Sequence, residues 1–371
     1  MKAILRILPF ILLAFLVGCD EVPTDREAGA TEAEFAKGGN GGNKPPPDEE
    51  PPGNWSSDQE IVYISTVTKK GNHQRRIVVA SVVENADGTV GSADAAIVLS
   101  GEAEIFNPAW SASGEAVLFE VPFGLEGRGV YAVRMDPVTN GASAPELLFP
   151  VGAGGMPAMS PDGSKIAYVD WSGEPGDIWV RERAPDGSWG SPINIDANGP
   201  VVGFAPAWAS DSRRLVATKD QDLVVYDIDP DGNGIIDEIS EMSITAGGPL
   251  EGQIVGGESS WARSDDRVVF SNFGIWIIDF NDPENVATCQ LVDNGVTWDV
   301  DYGSPRWSPD DTRIVYGGYP DNDIRIMTLD SASSQANGCP VIVSDDVFSS
   351  NSPRCTGSRC ETVQEQSWRR F

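Results

Sequence analysis

Twelve residues in the middle of the chain carry its clearest chemical pattern. Asp227-Ile-Asp-Pro-Asp-Gly-Asn-Gly-Ile-Ile-Asp-Glu238 follows the spacing D-x-D-x-D-G-x5-E. In that pattern alternate oxygens wrap a hard cation and glycine permits the sharp turn. The candidate ligands are Asp227, Asp229, Asp231, Asn233, Asp237 and Glu238, and the expected ion is Ca2+ in a structural role. A second register starts at Asp229 and uses Asp231, Asn233 and Asp237, but its twelfth position is Ser240. The preceding Leu223-Val-Val-Tyr226 reads as a strand, so a bound ion would staple a hairpin rather than move a pair of helices.

Other reactive groups are sparse. The one histidine, His73, lies in the polar stretch Lys69 to Arg76, where a loop and exposure are expected. No Gly-x-Ser-x-Gly elbow occurs, and with 56 acidic residues the chance proximity of two carboxylates carries no meaning. No catalytic residue is expected, and the chain reads as a non-enzyme. The net charge of −30 repels phosphate backbones and excludes nucleic acid as a partner. It favours solubility and cationic partners.

The N-terminus specifies export. A basic start (Lys2, Arg6) precedes an apolar run that is long enough for a secretory signal and too short to span a bilayer. Leu16-Val-Gly-Cys19 resembles the bacterial lipobox, which implies that residues 1–18 are a signal peptide and that Cys19 carries lipid. Residues 19–57 are dense in Gly, Pro, Asp and Glu, bury almost nothing, and read as a disordered acidic tether. Of the four remaining cysteines, Cys289 and Cys339 fall just before the fourth strands of successive repeat units, and Cys355 and Cys360 are near neighbours. In an oxidising compartment the pairings Cys289–Cys339 and Cys355–Cys360 are expected.

Residues 58–371 are built from a repeat. Asn107-Pro-Ala-Trp, Met156-Pro-Ala-Met, Ala205-Pro-Ala-Trp, Ser259-Ser-Trp and Ser304-Pro-Arg-Trp are in register. Their anchors, Trp110, Met159, Trp208, Trp261 and Trp307, recur every 46 to 53 residues. Such a period with strand-like segments indicates propeller blades. Each unit reads as four strands: the anchor strand, a Ser-Pro-Asp-Gly type of turn, an apolar strand such as Ile166-Ala-Tyr-Val169, a third such as Asp177-Ile-Trp-Val180, and a fourth after a polar hairpin. The anchors are expected in the core. The fold class is therefore all-β, a propeller of four-stranded blades. Six blades are favoured, closed by a C-terminal strand that completes a first blade begun at Ile61. The echo of Ser304-Pro-Arg-Trp in Ser352-Pro-Arg-Cys355 points to that strand, whereas a blade start at Trp55 would give seven.

The pattern Pro-x-Trp-Ser-Pro-Asp-Gly-x-x-Ile-x-Tyr followed by Asp-Ile-Trp-Val resembles the WD-like propeller repeat of the TolB type. That repeat is also found in the propellers of prolyl-oligopeptidase relatives. The resemblance covers about residues 59 to 345 and implies the fold; the α/β domain that precedes the TolB propeller is replaced by the tether. The expected role is a binding scaffold of the bacterial cell envelope that faces the periplasm. It would be held to a membrane by its lipid and would engage a protein or peptide at one mouth of the channel. The alternative is a carbohydrate or envelope-polymer binder, for which Phe123, Trp171 and Trp189 are the candidate stacking residues.

Overall fold

The computed structural model describes residues 60–69, 72–100, 104–121, 127–136, 141–152, 155–170, 176–196, 203–245, 250–252, 258–282, 286–293, 304–318, 323–334, 339–349 and 359–368. Cys19, the tether, Cys355, Phe123 and Trp171 lie outside them, as do Trp55 and the segment 352–355.

The strands form six sheets; in blades 2 to 6 the first strand is innermost. Blade 1 contains β1 (Glu60–Lys69), β2 (Asn72–Glu84) and β3 (Val90–Ser100). Blade 2 contains β4 (Phe106–Trp110), β5 (Ala116–Val121) and β6 (Gly129–Asp136); its outer strand is split into β7 (Gly141–Ala142) and β8 (Glu146–Pro150), both paired with β6. Blade 3 is β9 (Ala158–Met159), β10 (Lys165–Asp170), β11 (Asp177–Glu182) and β12 (Ile193–Asn194). Blade 4 is β13 (Gly203–Trp208), β14 (Arg214–Lys219), β15 (Asp222–Asp227) and β16 (Ser240–Ser243). Blade 5 is β17 (Ser259–Trp261), β18 (Arg267–Ser271), β19 (Gly274–Asp279) and β20 (Ala287–Asp293). Blade 6 is β21 (Arg306–Trp307), β22 (Arg313–Gly318), β23 (Asp323–Ser334) and β24 (Pro340–Ser349).

The last strand, β25 (Arg359–Trp368), pairs antiparallel with β1 and takes the innermost place of blade 1. The ring thus closes at six blades, and the seven-blade alternative falls. The described part of the polar stretch 69–76 is strand: β1 runs to Lys69 and β2 starts at Asn72, with Thr68 opposite His73. His73 is exposed there, its Nδ1 2.9 Å from Thr68 Oγ1.

The apolar runs form strands because both faces of every blade are covered. Successive side chains point to opposite faces of a strand, and here they enter opposite seams. Leu215 and Ala217 pack against blade 3, whereas Val216 packs against blade 5. Likewise Val268 and Phe270 face blade 4, and Val269 faces blade 6. Six buried clusters result, one per seam. Each anchor tryptophan is at most 6% exposed and fills the seam toward the preceding blade.

The turn after the anchor is also repeated. Gly163 N–H donates to Ser160 C=O, Ser160 Oγ accepts from Lys165 N–H, and Ser308 does the same for Asp311 and Arg313. The fourth turn residue has a left-handed φ at Gly114, Gly163, Ser212 and Asp311. Where it carries a side chain it ties blades together. Ser212 Oγ accepts from Asp162 N–H at 3.0 Å, and the Asp311 carboxylate accepts from Arg263 and Ser264 N–H at 2.7–3.0 Å. At the outer end of the seam between blades 5 and 6, Cys289 and Cys339 form a disulfide with Cα atoms 5.5 Å apart. Cys360 lies on β25 opposite Thr68.

Candidate functional site: the central channel

The inner strands of blades 2 to 6 enclose a channel of about 230 Å3. Its wall is the repeat motif itself, because the Pro-Ala-Trp strands are innermost. Trp110, Met159, Trp208 and the prolines make most of that wall apolar.

The first motif residue has left-handed φ in four blades: 50° at Asn107, 48° at Met156, 47° at Ala205 and 53° at Ser304. For residues other than glycine this conformation costs about 1–2 kcal/mol. Proline at the next position donates no N–H, and in blades 2 and 4 the ladder register shifts across this X-Pro step. The inner strands therefore bulge where they meet the channel. Such departures gather at functional sites.

Charge enters the wall at the blades that break the motif. Blade 5 has Glu258 where the others carry Asn107, Met156, Ala205 and Ser304, and blade 6 has Arg306 where three others have alanine. The two substitutions are complementary. Arg306 Nη2 lies 3.0 Å from Glu258 Oε2, and Nη1 donates to the carbonyls of Ser259 and Pro305. Arg263, exposed, lines the channel beyond the anchor.

A second carboxylate stands directly behind the wall. Glu120 on β5 is buried, and its Oε2 accepts from Asn107 Nδ2 at 2.8 Å and Met156 N–H at 3.3 Å. Burial pushes its pKa up, opposed by those two hydrogen bonds. Next to the blade 5 motif, Ser271 N–H donates to Glu258 C=O. The hairpin that follows presents Phe273, 38% exposed, with φ 47°.

The 227–238 segment lies far out on blade 4, between β15 and β16. Its polar groups cap their own turn: Gly234 N–H donates to Asp229 Oδ2 at 2.9 Å, Asn233 N–H to Asp231 Oδ1 at 3.2 Å, and Ile235 N–H to Asn233 Oδ1 at 2.7 Å. Asp227 pairs with Arg213 at 3.1 Å, and Asp237 and Glu238 are exposed. Gly232 and Gly234 supply φ of 71° and 81°. Among the described residues no group of three or more His, Cys, Asp or Glu side chains is arranged to hold a metal ion. Trp189 is half-buried on the outer hairpin of blade 3, edge-on to Phe149 with ring centres 6.3 Å apart, and does not line the channel.

No family model matches the chain, and no curated protein does. Among solved structures, TolB from Acinetobacter baumannii is 16% identical, with a TM-score of 0.56 over 86% of this chain and 68% of that one. The fold is a TolB-like propeller. The periplasmic gluconolactonase of Pseudomonas aeruginosa is 14% identical, with a TM-score of 0.50 over 79% of this chain and 85% of that one. A chain of the nidogen/laminin complex is 10% identical at 0.50, over 76% and 93%. At these identities the likeness is one of fold. The TolB-like propeller carries its distinctive charges, Glu120, Glu258 and Arg306, at positions that sequence reading passed over. The available signal was departure from the repeat: aligned blades have uncharged residues at all three places.

Proposed function

We propose that the protein is a lipid-anchored, non-enzymatic propeller of the bacterial cell envelope that binds a protein or peptide at the channel mouth beside Glu258 and Phe273. The observation that carries this reading is the mouth itself. It combines an apolar wall with an ion pair built from two motif-breaking residues, and the hairpin joined to Glu258 through Ser271 N–H carries the exposed Phe273. Buried aromatics beside charged groups are the usual anchors of protein interfaces. Fold neighbours include a chain from a protein–protein complex and an enzyme, the gluconolactonase. Trp189, engaged with Phe149, lends nothing to the carbohydrate alternative.

A photocrosslinking residue at position 273, in cells, is expected to capture a discrete envelope protein. The same residue at Val343, 65% exposed on the outer strand of blade 6, is expected to capture none. Equal capture at both positions would remove the channel mouth as the binding face.

The anchor is Cys19. Metabolic labelling with a fatty acid is expected to mark the wild-type chain and to be lost in Cys19→Ser, with release of the protein from membranes. An unlabelled wild type refutes the anchor.

Calcium at the 227–238 turn belongs to the same proposal. Asp229 keeps Oδ1 buried with no hydrogen-bond partner among the described residues, while the glycine conformations suit a cation loop. Calcium at a hundredfold excess over its dissociation constant is expected to stabilise the fold by roughly 2–3 kcal/mol. The double change Asp229→Asn, Asp231→Ala should erase the gain. Identical melting in calcium and in chelator would show that the turn is only an acidic hairpin.

A further inference from the structure

The repeat does not need the carboxylate of Glu120. Ten residues after the anchor, the other four blades carry Val169, Thr218, Ser271 and Gly317. Glu120 is nevertheless only 5% exposed, and an ionised group in such a place is costly unless a cation accompanies it. Among the described residues no lysine, arginine or histidine pairs with it, and nothing donates to Oε1; both of its hydrogen bonds end on Oε2. Two other deeply buried acids, Asp196 and Asp311, are compensated. Asp196 pairs with Lys219 at 2.8 Å, and Asp311 receives three N–H contacts from the neighbouring turn. The surroundings are fitted to the group: a Cβ on Gly155 would overlap the Glu120 carboxylate.

Both donors to Glu120, Asn107 and Met156, line the channel, and the wall beside them is Pro108, Trp110 and Met159. The arrangement is an apolar sleeve with a buried, cation-deficient carboxylate behind its side. An aliphatic stem suits the sleeve, and a terminal ammonium would supply the missing charge. A metal ion is disfavoured, because the nearest neighbours of the carboxylate are N–H donors rather than oxygen ligands.

We infer that the channel takes an alkylammonium group, the side chain of a lysine on the partner or a free polyamine, with Glu120 as its counter-charge. This rests on the channel being the ligand face and adds the chemistry of what enters it.

The test uses the full-length chain in detergent, labelled with 13C at methionine methyls, and follows the Met159 signal. The probes are Nα-acetyl-lysine N-methylamide, its uncharged norleucine counterpart, and spermidine. The lysine probe is expected to shift the Met159 signal saturably, and the norleucine probe is not. Glu120→Gln is expected to weaken the lysine probe at least tenfold while melting at or above the wild-type temperature, because a neutral amide needs no counter-cation. Tighter binding of spermidine than of the lysine probe assigns a free polyamine; the reverse assigns a partner's lysine. Equal binding of the lysine and norleucine probes to the wild type overturns the inference whether or not the variant folds. So does unchanged binding to a folded Glu120→Gln. Crosslinking at position 273 that succeeds while the probes fail leaves the channel as binding face without the ammonium site. Probe binding without crosslinking leaves the site without a protein partner.

Discussion

Deleting residues 359–371 is expected to abolish the folded state. β25 supplies the innermost strand of blade 1 through nine residue pairs, from Ile61 opposite Trp368 to Lys69 opposite Arg359. At about 1 kcal/mol net for each backbone hydrogen bond, the loss is on the order of 5–10 kcal/mol. That is comparable with the whole stability of an ordinary domain. The deletion also leaves the edge of β1, the strand that begins the ring, unpaired toward the channel, and an exposed edge templates aggregation. Circular dichroism should show no cooperative melt, and limited proteolysis should cut within blade 1 first. A synthetic 359–371 strand added in trans should restore part of the transition. A truncated chain that melts within a few degrees of wild type would mean that the ring does not depend on this closure.

Lys219→Met is the point substitution with the largest expected cost, about 3–5 kcal/mol. Lys219 is 14% exposed at the seam of blades 3 and 4; its Nζ lies 2.8 Å from Asp196 Oδ1 and 2.7 Å from Glu241 Oε2. Asp196 is fully buried, and removing one partner of such a pair leaves the other charge uncompensated. Burial already pushes the Asp196 pKa up, opposed chiefly by the hydrogen bond from Lys219. Without Lys219 it rises further. An acid with a raised folded-state pKa binds its proton more tightly in the native state, so its penalty grows as pH climbs above the unfolded value and vanishes below it. Wild type and variant should therefore melt alike near pH 4, about the unfolded aspartate value, and diverge toward neutrality. Thermal melts across that range decide the point. A gap independent of pH would show that Lys219 contributes only packing.

Much of the architecture was legible because a propeller blade cannot bury its faces alone. The runs Lys165–Asp170 and Arg214–Lys219 are apolar on both faces and charged at their ends, which already specifies strands covered on two sides. The anchor spacing marked five blades and the first could be read from Ile61, Ile77 and Ala96, whereas the choice of six over seven rested on the closing strand. The closing strand was harder to place. Expected near 352–355, it runs over Arg-Cys-Glu-Thr-Val-Gln-Glu-Gln-Ser-Trp368, which lacks the two-faced apolar pattern of the other inner strands. Its place comes from ring geometry, since blade 1 lacks an innermost strand and β25 is the segment that pairs there. The stretch around His73 looked like a loop for a similar reason. Its residues are polar, and only pairing with β1 keeps them extended.

The channel chemistry was decided by tertiary structure. Glu258 and Arg306 are 48 residues apart, and nothing local to either predicts a 3.0 Å contact. Glu120 meets Asn107 through its own hairpin but Met156 only across a blade seam. Sequence by itself determined the repeat, and with it the fold, because periodic apolar spacing acts through nearest neighbours and is written once per blade. Where charges end up buried depends on which side chains the closed ring brings face to face. That is settled by contacts between blades, whose geometry no single repeat contains.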